Sequence, residues 1–245
     1  MRNYKEELEK RVEFIRNKVK EAGAKGVVFG NSGGKDCALA GIIAKYACDN
    51  TIGVMMPCMS RRNYEEDIVD GREVADKFGI ETRVVDIGPV REAMVNAIGD
   101  SAVLTGLSLA NINPRIRMTV LYAIGASENL LVLGTGNRSE RYMGYFTKHG
   151  DGGCDINPIA DLTVREVYEF LEYLDAPMAV RKKAPSAALF EGQTDEDEMG
   201  ITYKAIDDYL LSGIASEEDK KKIESAHKKT AHKRTMPALY EDLGE

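Results

Sequence analysis

The chain has 245 residues, 43% of them hydrophobic, enough to bury one sizeable core and too few for several large domains. Lys and Arg number 33 against 40 Asp and Glu, and the resulting charge of −7 argues against a general nucleic-acid binder. No apolar run reaches 18 residues, the first residues are rich in Lys and Glu, and the four cysteines lack C-x-x-C spacing, so we expect a cytoplasmic protein with no membrane span, secretion signal, disulfide or zinc site.

Tyr4 to Ala22 sets Leu8, Val12, Ile15 and Val19 at helical spacing among charges and predicts an amphipathic helix. Gly26-Val-Val-Phe-Gly30 then predicts a buried strand. Asn31-Ser-Gly-Gly34 predicts a tight turn, and Ala38 to Ala44 is apolar enough for a helix. Thr51 to Met56, closed by Pro57, predicts a second strand, Asn63 to Phe78 a helix, Glu81 to Asp86 a third strand and Leu130 to Leu133 a fourth, with helical segments between the last two. Strands alternating with helices imply right-handed β-α-β units and a parallel sheet covered on both faces, an α/β fold with ligands at the carboxyl ends of the strands.

Beyond Tyr145 the strand signal fades. Thr163-Val-Arg-Glu166 fits a capping box and predicts a helix from Thr163 to Leu174. Ala184 to Gly200, with the acidic run Asp195 to Glu198, is expected to be a loop, and helices are expected over Tyr203 to Leu211 and Glu217 to Thr230, the C-terminal helical elements. Nothing marks a linker or an internal repeat, so residues 1–245 are read as one domain.

The turn after the first strand is the chemically informative stretch. Gly33 and Gly34 let the backbone come close to a ligand, while the free N–H groups of the new helix point into the turn. A helix N-terminus carries roughly +0.5 of an elementary charge, so its natural guest is an anion such as phosphate. A Walker loop is excluded because no glycine stands at the required distance before Gly34-Lys35, and the dinucleotide pattern G-x-G-x-x-G is also missing from the turn. What remains, Ser32-Gly-Gly-Lys-Asp-Cys37, resembles the S-G-G-x-D-[ST] loop of the N-type ATP pyrophosphatases, with Cys37 in place of the usual hydroxyl.

Four further stretches, read with this loop, resemble the NAD synthetase family in its own order. They are Asn111-Ile-Asn-Pro-Arg-Ile-Arg-Met118, the pair Leu133 to Glu140 and Gly144 to Asp155, the run Lys183 to Gly200, and His232-Lys-Arg-Thr-Met-Pro237. The resemblance implies a Rossmann-like sheet of the adenine nucleotide alpha hydrolase type. It also implies an ammonia-dependent ligase that converts ATP, deamido-NAD and ammonia to AMP, diphosphate and NAD through an acyl-adenylate. By the same resemblance, Gly30, Asn31, Ser32, Gly33, Gly34, Lys35, Asp36, Cys37, Thr135 and Ser186 contact ATP, and Arg115, Lys148, Asp155, His232 and Lys233 hold deamido-NAD. Asp36 and Glu140 bind Mg2+, and Asp36, Lys148 and Asp151 make up the catalytic centre, with Asp151 near the ammonia. The family's glutamine-dependent members carry an additional glutaminase domain for which this chain has no room, so free ammonia is the expected donor, with a separate glutaminase subunit left open. Family members are homodimers, and no membrane or nucleic-acid partner is implied.

Some positions depart from the family pattern or keep a plainer reading. Pro114 stands in place of the usual Ala and is expected to start the helix carrying Arg115. Val164 stands where many members have a phosphate-contacting Lys, which leaves Arg165 and Lys182 as alternatives. Arg117 is either a site residue or an ion-pairing helix residue. His149, His227 and the lysines at 220–222 and 228–229 are expected in a loop or on solvated faces. A tRNA-thiolating or GMP-synthesising relative, or a nucleotide sensor that binds ATP without cleaving it, would share the loop and sheet.

Overall fold

The computed structural model describes residues 2–58, 67–182, 194–237 and 240. Helix α1 (Tyr4–Glu21) starts at Asn3, whose side chain accepts from the Glu6 N–H, and carries acidic residues in its first turn and Lys18 and Lys20 in its last, an arrangement that suits the helix dipole. Strand β1 (Val27–Gly30) leads through the turn into α2 (Lys35–Ala47), and β2 (Thr51–Met55), α3 (Ile68–Phe78) and β3 (Glu81–Val84) follow. Then come α4 (Gly88–Ile98), α5 (Gly106–Ala110), α6 (Ile112–Glu128) and β4 (Leu131–Leu133). The four strands are parallel in the order β3-β2-β1-β4, with Gly30 level with Val54 and Phe29 level with Leu133.

The order of the strands locates the ligand crevice. The chain moves outward from β1 through β2 to β3, then returns to place β4 on the other side of β1. That reversal opens a cleft beyond the carboxyl ends of β1 and β4. Strand side chains alternate between two cores. Val27 and Phe29 pack with α1, α2 and Phe170, while Val28, Ile52 and Val54 pack with Ile112, Ile116 and Leu121 of α6. Leu39, Ile42 and Ile43 of α2 are fully buried, each worth about 1.5–3 kcal/mol relative to exposure.

The remaining helices are α7 (Arg138–Met143), α8 (Val164–Tyr173), α9 (Met178–Lys182), α10 (Asp195–Met199), α11 (Tyr203–Ser212) and α12 (Glu217–Lys229). Met143, Val164, Ile201, Tyr203, Ile206 and Ile223 form a third, smaller core. The predicted capping box is present: Thr163 accepts from the Glu166 N–H, and Glu166 accepts from the Thr163 N–H at 2.9 Å.

Two expectations need correction. The stretch from Ala184 to Gly200 is not all loop, because Thr194 and Asp197 cap a short helix, α10, at its described end. The helix carrying Arg115 starts at Ile112 rather than at Pro114, which fits in the first turn because the N–H it lacks would have had no intrahelical partner. The expected helix start at Asn63 and the residue Ser186 lie outside the described residues. No helix among the described residues is long and apolar enough to cross a membrane.

Candidate active site

The turn between β1 and α2 is held from below by Asn31. Its backbone N–H continues the β1–β2 ladder to the Val54 carbonyl at 2.9 Å, its Oδ1 accepts from the Gly33 N–H at 3.2 Å, and its Nδ2 donates to the Gly71 carbonyl at 3.1 Å. Gly33 has φ +68°, and a Cβ there would come within 2.2 Å of the Asp67 carbonyl oxygen, so the turn requires glycine. Gly34 is the N-cap of α2 and supplies no side-chain cap, which leaves the helix's leading N–H groups directed into the turn. The buried Cys37 thiol takes the place of the expected hydroxyl, 3.3 Å from Ser32 Oγ and 3.1 Å from the Gly34 carbonyl.

Lys35 and Asp36 begin α2 and turn toward β4. The Lys35 ammonium is buried, 2.7 Å from Asp36 Oδ2 and 5.7 and 5.9 Å from the ring centres of Tyr203 and Tyr168. Burial opposes its charge, but Asp36 and Glu140 outweigh that and hold its pKa above the ordinary value. Its charge is therefore directed at carboxylates and away from the anion cradle of the turn. Across the cleft, Asn137 starts α7 with a capping box: its Oδ1 accepts from the Glu140 N–H at 3.0 Å, and its N–H donates to Glu140 Oε2 at 3.1 Å. Its Nδ2 donates to Asp36 Oδ1 at 3.1 Å, so one residue holds both carboxylates, Asp36 through its side-chain amide and Glu140 through its main-chain N–H. Burial first, and then the negative charge of Asp36, raise the Glu140 carboxyl well above the usual range.

That electrostatic state fits a site for a hard divalent cation. Mg2+ commonly takes one or two carboxylates and completes its octahedron with phosphate oxygens and water. Asp36 and Glu140 meet that requirement beside a phosphate cradle, although among the described residues no three His, Cys, Asp or Glu side chains form a metal site by themselves. Asp195, buried and bound by the Tyr203 hydroxyl at 3.1 Å, adds negative charge near Glu140. Sequence reasoning gave Asn137 no site role, although the N-x-x-E spacing of a capping box was an available signal, and it marked Asp195 only as part of an acidic run without a role of its own.

The other expected residues fall into groups. Thr135 stands two residues beyond the Phe29–Leu133 pair, on the β4 side of the cleft. Lys148 reaches the C-terminal segment and donates to the His232 carbonyl at 2.7 Å. Lys233 donates to the carbonyls of Gly144 and Phe146 at 2.8 and 2.7 Å, so it ties down that loop, and burial lowers its pKa. The Asp155 carboxylate accepts from the Val132 N–H at 2.7 Å and the Tyr122 hydroxyl at 3.0 Å, which holds the end of the sheet. Asp151 accepts from the Thr147 N–H at 2.9 Å. Protein crowded around it pushes its pKa up despite that bond, although solvent still reaches the residue. Arg115 projects into solvent from α6. Arg165 pairs with Asp208 at 2.5 Å. His149 is exposed, and the His227 ring stacks on Tyr142 at 3.9 Å.

The chain is similar to known proteins over nearly its whole length. A family model described as NAD synthase matches residues 7–237. The NH(3)-dependent NAD(+) synthetase of Carboxydothermus hydrogenoformans is 44% identical over 97% of this chain and 98% of its own length. Among solved structures, the NMN synthetase from Francisella tularensis superposes with a TM-score of 0.93 at 36% identity, covering 99% of this chain and all of its own. The NH3-dependent NAD synthetase of Campylobacter jejuni, solved with a nitrate ion, gives 0.79 at 31% identity over 98% of this chain and 100% of its own.

Proposed function

The chain belongs to the NAD synthase family, and from that premise we propose that it is an ammonia-dependent NAD synthetase using ATP, deamido-NAD and ammonia, built as one domain over residues 1–245 and working in the cytoplasm. The observation that carries this reading is the meeting, at the carboxyl ends of β1 and β4, of an anion cradle with two carboxylates joined through Asn137.

A carboxylate is a poor acyl electrophile and must first be activated. A nicotinate carboxylate oxygen attacks the α-phosphorus of ATP, the bond from that phosphorus to the bridging oxygen breaks, and pyrophosphate leaves. Ammonia then attacks the acyl carbon, loses a proton, and AMP departs with the former carboxylate oxygen. The chain's contribution to the first step is positioning and charge neutralisation. The Gly33 and Gly34 backbone and the start of α2 receive the departing pyrophosphate, and Thr135 faces them across the cleft. Asp36 and Glu140 would hold Mg2+, which when bound neutralises phosphate charge. Lys148, Arg115, His232, Lys233 and Asp155 form the nicotinate-nucleotide side, and Asp151 stands near the incoming ammonia. Ser186 belongs to the ATP side on the strength of its motif.

The Francisella tularensis neighbour supports a second reading, in which the same amidation acts on nicotinate mononucleotide. One experiment tests both. Purified protein is incubated with ATP and Mg2+, with deamido-NAD or nicotinate mononucleotide, and with ammonium or glutamine, and all products are quantified. The expected outcome is NAD with equimolar AMP and pyrophosphate under ammonium alone. Preferential amidation of the mononucleotide would establish the second reading, and release of AMP with neither substrate would overturn both.

A homodimer belongs to the same proposal. Among the described residues, Val90, Met94, Val103 and Leu107, on and between α4 and α5, are exposed and apolar, with Val103 97% accessible, side chains that a second copy would cover.

A further inference from the structure

Arg117 lies one turn of α6 before Leu121 and one turn after Asn113, on the side of the helix that runs beneath the strand ends. A methyl group at Gly30, the last residue of β1, would sit 3.7 Å from Leu121, and Cys58 Sγ, just beyond β2, is 3.7 Å from Asn113 Oδ1. Between these points Arg117 donates from Nε to the Met56 carbonyl at 3.2 Å. The parallel register pairs Gly30 with Val54, so Met56 lies just past the strand ends and the guanidinium stands near the carboxyl ends of β1 and β2, where the phosphate turn begins. The same half of α6 also packs against the segment carrying Asp151, since a Cβ at Gly150 would be 2.9 Å from Pro114 and one at Gly153 3.1 Å from Met118. Three site-forming segments therefore meet around this side chain.

Nε is bonded, and among the described residues neither terminal nitrogen has a hydrogen-bond partner and no carboxylate stands at ion-pair distance. Burial lowers its pKa, and the weaker pull of Cys58, Asp151 and Asp67 does not offset the effect. The side chain is half-buried, and a partly desolvated cation without a counter-ion is costly. Lys35, the neighbouring cation at the turn, is already engaged by Asp36. A planar fork with two free nitrogens matches phosphate oxygens in bidentate fashion.

We propose that Arg117 is a phosphate-binding residue of the site, its two terminal nitrogens taking phosphoryl oxygens of the ATP seated on the Ser32–Lys35 turn. This rests on the synthetase reading and adds a contact distinct from that of Arg115, which projects from the opposite, exposed side of the helix. The fork would enter at the sheet side of the phosphates, where the turn offers N–H groups and no free charge.

The test is calorimetric binding without turnover, using Mg2+ with pyrophosphate or α,β-methylene-ATP, on the wild type, Arg117→Met and Arg117→Lys. Arg117→Met should weaken both phosphate ligands by about tenfold or more and leave deamido-NAD and nicotinate mononucleotide within about twofold, with Arg117→Lys intermediate because it keeps the charge and loses the fork. Equal phosphate affinity in a folded Arg117→Met protein overturns the proposal. A loss confined to the nicotinate nucleotides also overturns it, by assigning the fork to their phosphate. If Arg117→Met does not fold, unchanged phosphate affinity in Arg117→Lys has the same consequence. A wild type that binds neither phosphate ligand overturns the synthetase reading itself, an outcome separable from the others.

Discussion

Asn137 caps α7, fixes Glu140 through both halves of the capping box, and donates to Asp36 from its remaining amide group. Its Oδ1 and Nδ2 are both in use, so no other side chain of similar size could make the same set of bonds. Replacing it with Ala should cost about 1 kcal/mol through the lost cap. It should also free Asp36 and Glu140 to separate, lowering Mn2+ affinity in the presence of ATP by roughly 10–100-fold, as is usual for partners of metal-ligating carboxylates. Melting temperature and Mn2+ titration by electron paramagnetic resonance separate the two effects, and unchanged Mn2+ affinity would remove Asn137 from the metal site. Cys37 illustrates a substitution the turn absorbs: the thiol keeps its place between Ser32 and Gly34 with longer and weaker bonds.

At the scale of elements, α1 is fastened to the loop before α8 by charge as well as by its apolar stripe. Arg11 meets Asp161 in a bidentate pair at 2.6 and 2.9 Å, and Arg2 reaches Asp161 at 3.0 Å and Glu166 at 2.6 Å. Burial works against ionisation of Asp161, but the hydrogen bonds and charge of Arg11, with the charge of Arg2, hold its pKa below the ordinary range. A carboxylate depressed in the folded state contributes stability above its unfolded value, about 3.9, and loses that contribution as pH falls through the folded value. Urea unfolding at a series of pH values should therefore show the wild type losing stability below about pH 4 more steeply than Asp161→Asn. Parallel curves would show that the cluster is screened by solvent. The capping boxes at Thr163 and Thr194 act on the same scale, each fixing where a helix begins.

For the whole molecule, the exposed apolar side chains of Val90, Met94, Val103 and Leu107 lead to a prediction about assembly. Sedimentation equilibrium should report a dimer for the wild type and a monomer for Val103→Asp, because a charge buried in an apolar contact has no partner. A dimer that survives this change would place the interface elsewhere. Much of the fold and part of the site are legible in the sequence. The β1–turn–α2 unit and the Thr163 cap depend on residues a few positions apart, so local sterics and hydrogen bonding fix them, and the alternation of strands with helices implies the parallel sheet. The motifs likewise identify the family and name Asp36 and Glu140. The α10 helix is not legible in this way, because five residues are too few to pay the nucleation cost alone and the bond from Tyr203 to Asp195 comes from outside it. The bond between Asp36 and Asn137, 101 residues apart, the charge of Glu140 near Lys35 and the position of the Arg117 fork are likewise products of packing. Sequence by itself determined which chemical groups are available and which short units form. Only the tertiary structure decided which charges are neutralised within the protein and which are left for a ligand, because charge compensation depends on distance in space.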